Sequence, residues 1–256
     1  MRKPLTLASL AVASLAITPM LGVGTAFAAD GDTMANLAPV ALNGVEGSGT
    51  AMVQVNGTTI DVTMAASGLL PDNPHAAHIH FGADARHECP AAGDDADGDG
   101  TINTTDGDPA YGPIVVSLTK TGDTSPDSGL AVERFDTAPG GQLSYERGSI
   151  QVSEEVATAV ANGEGVVVVH GVDHNDSGKY DGKKKSDLEP SLPTEATDPA
   201  LCGVLSAAPA GGADTGNGGA ASGTDAGLLA LGGGALLLVA GAGAGIVTTR
   251  RARVSA

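Results

Sequence analysis

Aromatic residues are scarce in this chain of 256, with three Phe, three Tyr and no Trp, so any core must be built from Val, Leu, Ile, Met and Ala. Positive charge is scarce too: 13 Lys and Arg stand against 30 Asp and Glu. Five of the basic residues lie at the two ends (Arg2, Lys3, Arg250, Arg251, Arg253), which leaves 8 against 30, or −22, between them. So acidic a body is a poor partner for nucleic acid or anionic lipid and a good one for cations, although solubility alone accounts for much of the charge. The chain also lacks a G-x-S-x-G elbow, a phosphate-binding glycine loop and H-E-x-x-H, which argues against the serine-hydrolase, nucleotide-binding and zinc-protease classes. There are only two cysteines, Cys89 and Cys202.

The ends read as export and anchoring signals. Residues 1–29 combine a basic start, an apolar run from Leu5 to Phe27 and a small-x-small close at Ala26-Phe27-Ala28, the pattern of a signal peptide. An uncleaved N-terminal anchor is the alternative. Residues 226–249 carry no charge and are followed by arginines in 250–256. A run of that length spans a bilayer core of roughly 30 Å, and the arginines favour a cytoplasmic tail. The expected arrangement is a single-pass protein held at the extracellular face of the cell membrane. A wall-sorting tail is the alternative, but no clean L-P-x-T-G is present. Residues 208–225, mostly Ala, Gly, Asp, Ser and Thr, read as a flexible stalk. Residues 30–207 remain as one domain of ordinary size. An even pair of cysteines in an oxidising compartment is expected to form one disulfide.

Within the domain, Thr50–Val55 and Thr59–Met64 alternate in polarity around Asn56-Gly57, which predicts a hairpin with a type I′ turn. Further strands are expected at His78–Phe81, Ile114–Thr119, Leu130–Phe135, Leu143–Val152, Val166–His170 and Leu201–Leu205. Only Ser153–Asn162 looks helical, with Ser153 as cap and Glu154 and Glu155 in the first turn. Many short strands and one short helix predict an all-β sandwich or barrel with Greek-key connections.

Four of the six histidines, His75, His78, His80 and His87, lie close together. His78 and His80, two apart on a predicted strand, project from one face, which suits chelation but also occurs in ordinary sheets. His170 ends a four-valine run that reads as a buried strand, so its ring requires a metal or a hydrogen-bonding partner. Three imidazoles favour copper or zinc, whereas oxygen-rich sites favour calcium.

The stretch His75-Ala76-Ala77-His78-Ile79-His80-Phe81-Gly82, then Cys89, Val167-Val168-Val169-His170 and Leu201-Cys202-Gly203-Val204, resembles the copper,zinc superoxide dismutases in order and spacing. It is closer still to bacterial members of the related CHRD (chordin-type) domain. The resemblance covers about residues 44–207. It implies a Greek-key β-barrel or sandwich, His78, His80 and His170 as copper ligands, and Cys89–Cys202 as the intradomain bridge. Two departures limit what it implies about activity. No histidine lies between Cys89 and His170, so the zinc site is expected to be absent. Asp198-Pro199-Ala200-Leu201 stands where the dismutases carry the arginine that draws superoxide to copper.

Where zinc ligands would fall, Asp95 to Asp106 follows the calcium-loop pattern, with Asp95, Asp97 and Asp99 at positions 1, 3 and 5, Gly100 at 6 and Asp106 at 12. Thr101 adds an oxygen, and no flanking helices are expected. A weaker calcium candidate comprises Asp173, Asn175, Ser177 and Asp181, with Lys184 at position 12. The expected function is a cell-surface metal-binding domain, copper first and calcium second, with at most weak superoxide dismutation. The alternatives are a calcium-stabilised adhesion or scaffold module without catalysis, and copper capture without catalysis. The sequence names no protein partner.

Overall fold

The structure, a computed structural model, describes residues 30–208. Its strands are β1 (Gly31–Pro39), β2 (Ser48–Asn56), β3 (Thr59–Ser67), β4 (Ala77–His80), β5 (Ile114–Ser117), β6 (Leu143–Gln151), β7 (Val166–His170), β8 (Pro199–Val204) and β9 (Ser206–Ala207). They pair antiparallel in the order β5-β4-β7-β8-β1-β2-β3-β6, with β9 also on β1. The sheet curls into a half-barrel, and β1 joins its two parts. Residues 31–37 of β1 pair with β2, while Ala38 and Pro39 pair with β8.

Alternation builds this curl. Val53 and Val55 of β2, Ile60, Val62 and Met64 of β3, and Leu143 and Tyr145 of β6 turn one face inward, and their intervening neighbours are largely exposed. They meet Ile79 of β4 and Val167 and Val169 of β7 in one core. Each such aliphatic side chain, removed from water, contributes roughly 1.5–3 kcal/mol before entropy is counted. Strands β4, β7 and β8 are buried on both faces, which is why β7 and β8 read as nearly unbroken apolar runs and why the histidines of β4 are buried too. Val167 and Val169 face the main core. Val166 and Val168 face a second cluster with Ile102, Tyr111 and Cys202.

Several expectations need correction. Residues 130–135 are not a strand: 3-10 turns occupy 126–128 and 132–134, leaving Leu130 and Val132 exposed and burying Phe135. The domain has two helices rather than one, α1 (Thr104–Tyr111) and α2 (Glu154–Ala161). The expected helix at 153–162 forms as α2, with Ser153 accepting from the Val156 amide. The hairpin forms, but its two central residues are Gly57 and Thr58, since Asn56 already pairs with Thr59. Gly57 has φ 64° and Thr58 has no positive φ, so glycine comes first, as in a II′ rather than an I′ turn. Strand β1 was not foreseen; its inward face is Thr33, Ala35 and Leu37, too weakly apolar to stand out. The expected signal peptide, nearly all of the expected stalk, and the expected membrane span and basic tail lie outside the described residues. Among those described, no helix is long and apolar enough to cross a membrane.

Candidate metal centre

In the β4–β7 register, His78 stands opposite Val168 and His80 opposite Val166. His170 follows two residues beyond Val168, so all three histidines project from the same side, away from the main core. Loops cover that side. Residues 81–113 are tied down by the Cys89–Cys202 disulfide, whose Cα atoms are 5.7 Å apart. The turns after β5 and the segment before β8 complete the cover, and His78, His80 and His170 are at most 3 % exposed.

Each ring is held at one nitrogen by a backbone carbonyl. His78 Nε2–H donates to Gly129 O (3.0 Å), His80 Nδ1–H to Gly112 O (2.8 Å) and His170 Nδ1–H to Thr197 O (2.6 Å). A carbonyl accepts only from N–H, so these contacts fix the tautomers. They leave lone pairs on His78 Nδ1, His80 Nε2 and His170 Nε2. Those three nitrogens are buried and have no protein partner. The three side chains offer ring nitrogens within 4.8 Å of one another. Leaving one buried polar atom unpaired costs roughly 1–3 kcal/mol, so three together are expensive unless something binds them. A cation that accepts imidazole lone pairs satisfies all three at once, and carbonyl-oriented histidines are how proteins commonly present such donors.

Electrostatics favours the metal-ready form. Burial, joined by the neighbouring His170, pushes His80 down to about 3. Burial pushes His170 down to about 4, and His78 is driven well below its ordinary value by burial and by His170 and His80. All three are neutral at neutral pH, so no proton has to be displaced before a metal binds. Phe135 packs edge-on against His78 at 5.4 Å and Tyr111 tilts over His80 at 4.4 Å, which excludes water from the flanks.

The backbone carbonyls depend on local chain geometry. Gly112 closes α1 at φ 82°, where a side chain would strain the backbone and a Cβ would meet Gly82 N at 2.8 Å. That close approach is what brings its carbonyl to His80.

The other histidines do not join the centre. His75 is buried, with Nδ1 against His170 O (2.8 Å) and Nε2 against Leu70 O (3.0 Å), so it braces the His170 backbone. His87 donates to Gly82 O and stacks on Phe81. His174 pairs with the buried Asp198 carboxylate at 2.8 Å. Among the described residues no fourth His, Cys, Asp or Glu completes the three-histidine group, so a metal held there keeps a position for another ligand.

The first aspartate loop is only partly assembled as expected. Asp95, Asp97 and Asp99 bring carboxylate oxygens within 4.8 Å of one another. The chain wraps Asp95, whose oxygens accept from the amides of Gly98, Asp99 and Gly100. Thr101 instead donates its hydroxyl to Asp99. Asp106 is drawn away into a reciprocal cap with Asn103 at the start of α1 and also accepts from the Ala96 amide. Lys184 forms an ion pair with Asp99. In the second loop Asp173 accepts from the amides of Ser177 and Gly178, and Asn175 and Ser177 donate to Asp181. These contacts close an Asx-type turn without a cation.

The sequence alone did not point to Gly112, Gly129 and Thr197 as histidine holders, because backbone carbonyl acceptors leave no side-chain signal. Tyr111 and Phe135, being two of six aromatics, were the nearest thing to one. No protein-family model matches this chain, and no curated protein matches it.

Proposed function

We propose that the chain is a copper-binding domain of the CHRD and superoxide-dismutase-like type, displayed outside the cell, with His78 Nδ1, His80 Nε2 and His170 Nε2 as the protein ligands. The observation that carries this reading is the set of three buried, convergent and unpartnered imidazole nitrogens, each oriented by a carbonyl on its other nitrogen. An all-nitrogen donor set without thiolate or carboxylate suits copper, which also leads the divalent first-row metals in affinity for such sites. Bound copper would supply one-electron redox chemistry. This chain's residues would hold it, keep water from its flanks and leave one position for an exogenous ligand.

The Greek-key arrangement implied by the family resemblance is supported by the sheet order, in which β3 pairs with β6 and β4 with β7 across long stretches of chain. An exported location is supported by the Cys89–Cys202 bridge, since disulfides are far commoner in oxidising compartments than in the cytosol. Superoxide dismutation is at most a slow side activity: the body carries −22 and lacks the attracting arginine. Calcium at Asp95, Asp97 and Asp99 has a structural role in this reading, stabilising the loop that leads into α1.

The test is metal content and calorimetric titration. One equivalent of copper in the native protein, lost in His170→Ala with the fold retained, supports the proposal. Zinc in preference to copper, or binding unaffected by that change, refutes it.

A further inference from the structure

His170 is held at two points, and both holds lead back to the chain segment that follows it. Its ring Nδ1–H donates to Thr197 O (2.6 Å), and its own carbonyl lies 2.8 Å from His75 Nδ1. Beyond Val172 the chain runs over the surface, with residues 175–179 exposed. The side chains on either side of that stretch, His174 and Tyr180, reach inward. Tyr180 brings its hydroxyl to 3.2 and 3.3 Å from the two ring nitrogens of the buried His75. Burial lowers the pKa of His75, so its ring is neutral and carries one N–H. Yet that ring faces two carbonyls, His170 O and Leu70 O, neither of which can donate. The nitrogen without a proton needs a donor, and the Tyr180 hydroxyl is the side-chain donor in reach. Gly171 makes room for this packing: at φ 111°, a Cβ there would overlap the Tyr180 hydroxyl and sit 2.7 Å from His75 Nδ1. On the other side, His174 Nε2–H donates to Asp198 Oδ2 (2.8 Å), a carboxylate that is fully buried. Asp198 follows Thr197 directly; its carbonyl accepts from Gly171 N (2.9 Å), and Thr194 Oγ1 donates to its second carboxylate oxygen (2.6 Å). Without His174, one buried carboxylate oxygen loses its partner beside the carbonyl that holds the His170 ring.

We infer that Tyr180 and His174 are positioning residues for the metal centre, a role that rests on the copper reading above and adds residues outside the ligand set. They clamp the segment after β7 against His75 and Asp198, and so set the His170 ring from its carbonyl and from its Nδ1 at once. His78 and His80 are held separately, by Gly129 O and Gly112 O, so the clamp acts on one ligand of three. Partners that orient a ligating histidine matter because they fix its ring direction, and losing one typically costs roughly 10–100-fold in metal affinity.

The test compares the full-length protein, loaded with Cu(II), with Tyr180→Phe, His174→Ala and His174→Gln, by electron paramagnetic resonance and by competition titration of copper. Val62→Ala, in the main core on β3, serves as the control for lost stability alone. Tyr180→Phe removes one oxygen and keeps the ring. It should retain three-nitrogen structure in the spectrum, shift the copper hyperfine splitting and weaken binding about tenfold or more. His174→Ala should do the same, while His174→Gln, which keeps an N–H for Asp198, should recover most of the native signal. Val62→Ala should lower the melting temperature and leave spectrum and affinity as they were. A native spectrum and affinity in either Tyr180→Phe or His174→Ala, no recovery in His174→Gln, or an equal shift in Val62→Ala would overturn the positioning role and leave the copper site standing. A native protein without a three-nitrogen copper signal is a different failure, which removes the copper reading and the positioning role with it.

Discussion

Lowering the pH from 7 to 5 should strip the metal-free domain of much of its stability, and the histidine cluster sets the size of the loss. In the unfolded chain each histidine takes up a proton near 6.5. In the fold His80 waits until about 3 and His170 until about 4, and His78 also lies well below its ordinary value, with burial as the largest cause in each case. Between these limits the unfolded state binds more protons, so stability is fully present above about 6.5 and falls as the pH drops toward 4. At pH 5 His80 and His170 each contribute a loss of about 2 kcal/mol, about 4 kcal/mol together, and His78 adds to it in the same direction. That is a large part of the 5–15 kcal/mol typical of a domain. Asp136 and Asp198, whose carboxyls burial raises, work in the opposite sense, so a difference between variants is the cleaner quantity. Urea unfolding of the metal-free protein, followed by far-ultraviolet circular dichroism at both pH values, measures the total. His80→Leu should reduce the loss by about 2 kcal/mol. A change below about 1 kcal/mol in the native chain, or an undiminished loss in the variant, would mean that these rings are not buried and neutral.

Three further outcomes follow from the same geometry. Because the three histidines are already neutral in the fold, copper affinity should stay nearly flat from pH 7 to 5 wherever the domain remains folded; a fall of about a hundredfold, as expected for a site whose ligands must first lose protons, would contradict this. Removing the disulfide with Cys89→Ser and Cys202→Ser should cost roughly 2–5 kcal/mol in denaturant unfolding, since it closes a separation of 113 residues. It should also weaken copper binding, because the tethered segment carries the Gly112 carbonyl that holds His80. Millimolar calcium should raise the melting temperature by a few degrees, with the effect lost in Asp95→Asn, and a native melting curve that calcium does not move would dismiss that loop as a cation site.

Much of the three-histidine cluster was legible because it follows from periodicity. Two histidines two apart on a strand share a face whatever the tertiary structure, and a run of four valines ending in histidine reads as a doubly buried strand. Which nitrogen each ring offers was not legible. That depends on where Gly112, Gly129 and Thr197 bring their carbonyls, and backbone carbonyls carry no sequence label. The strand expected at 130–135 failed for a related reason. Leu130 and Val132, two apart, suit a strand, but among the described residues no neighbouring strand pairs with them, and both side chains border a cleft instead. Helix α1 was hidden by its composition. Thr, Asp, Gly and Pro are poor helix formers, and it is the reciprocal Asn103–Asp106 cap and the burial of Tyr111 that hold it. That cap also explains why Asp106 stands apart from the three aspartates it was expected to join.

Cu(II) titration followed by electron paramagnetic resonance asks whether His78, His80 and His170 form one copper site. The expected result is one tight equivalent with nitrogen hyperfine structure, absent in both His78→Ala and His170→Ala. Weak binding spread over several sites, with spectra that neither variant changes, would contradict it.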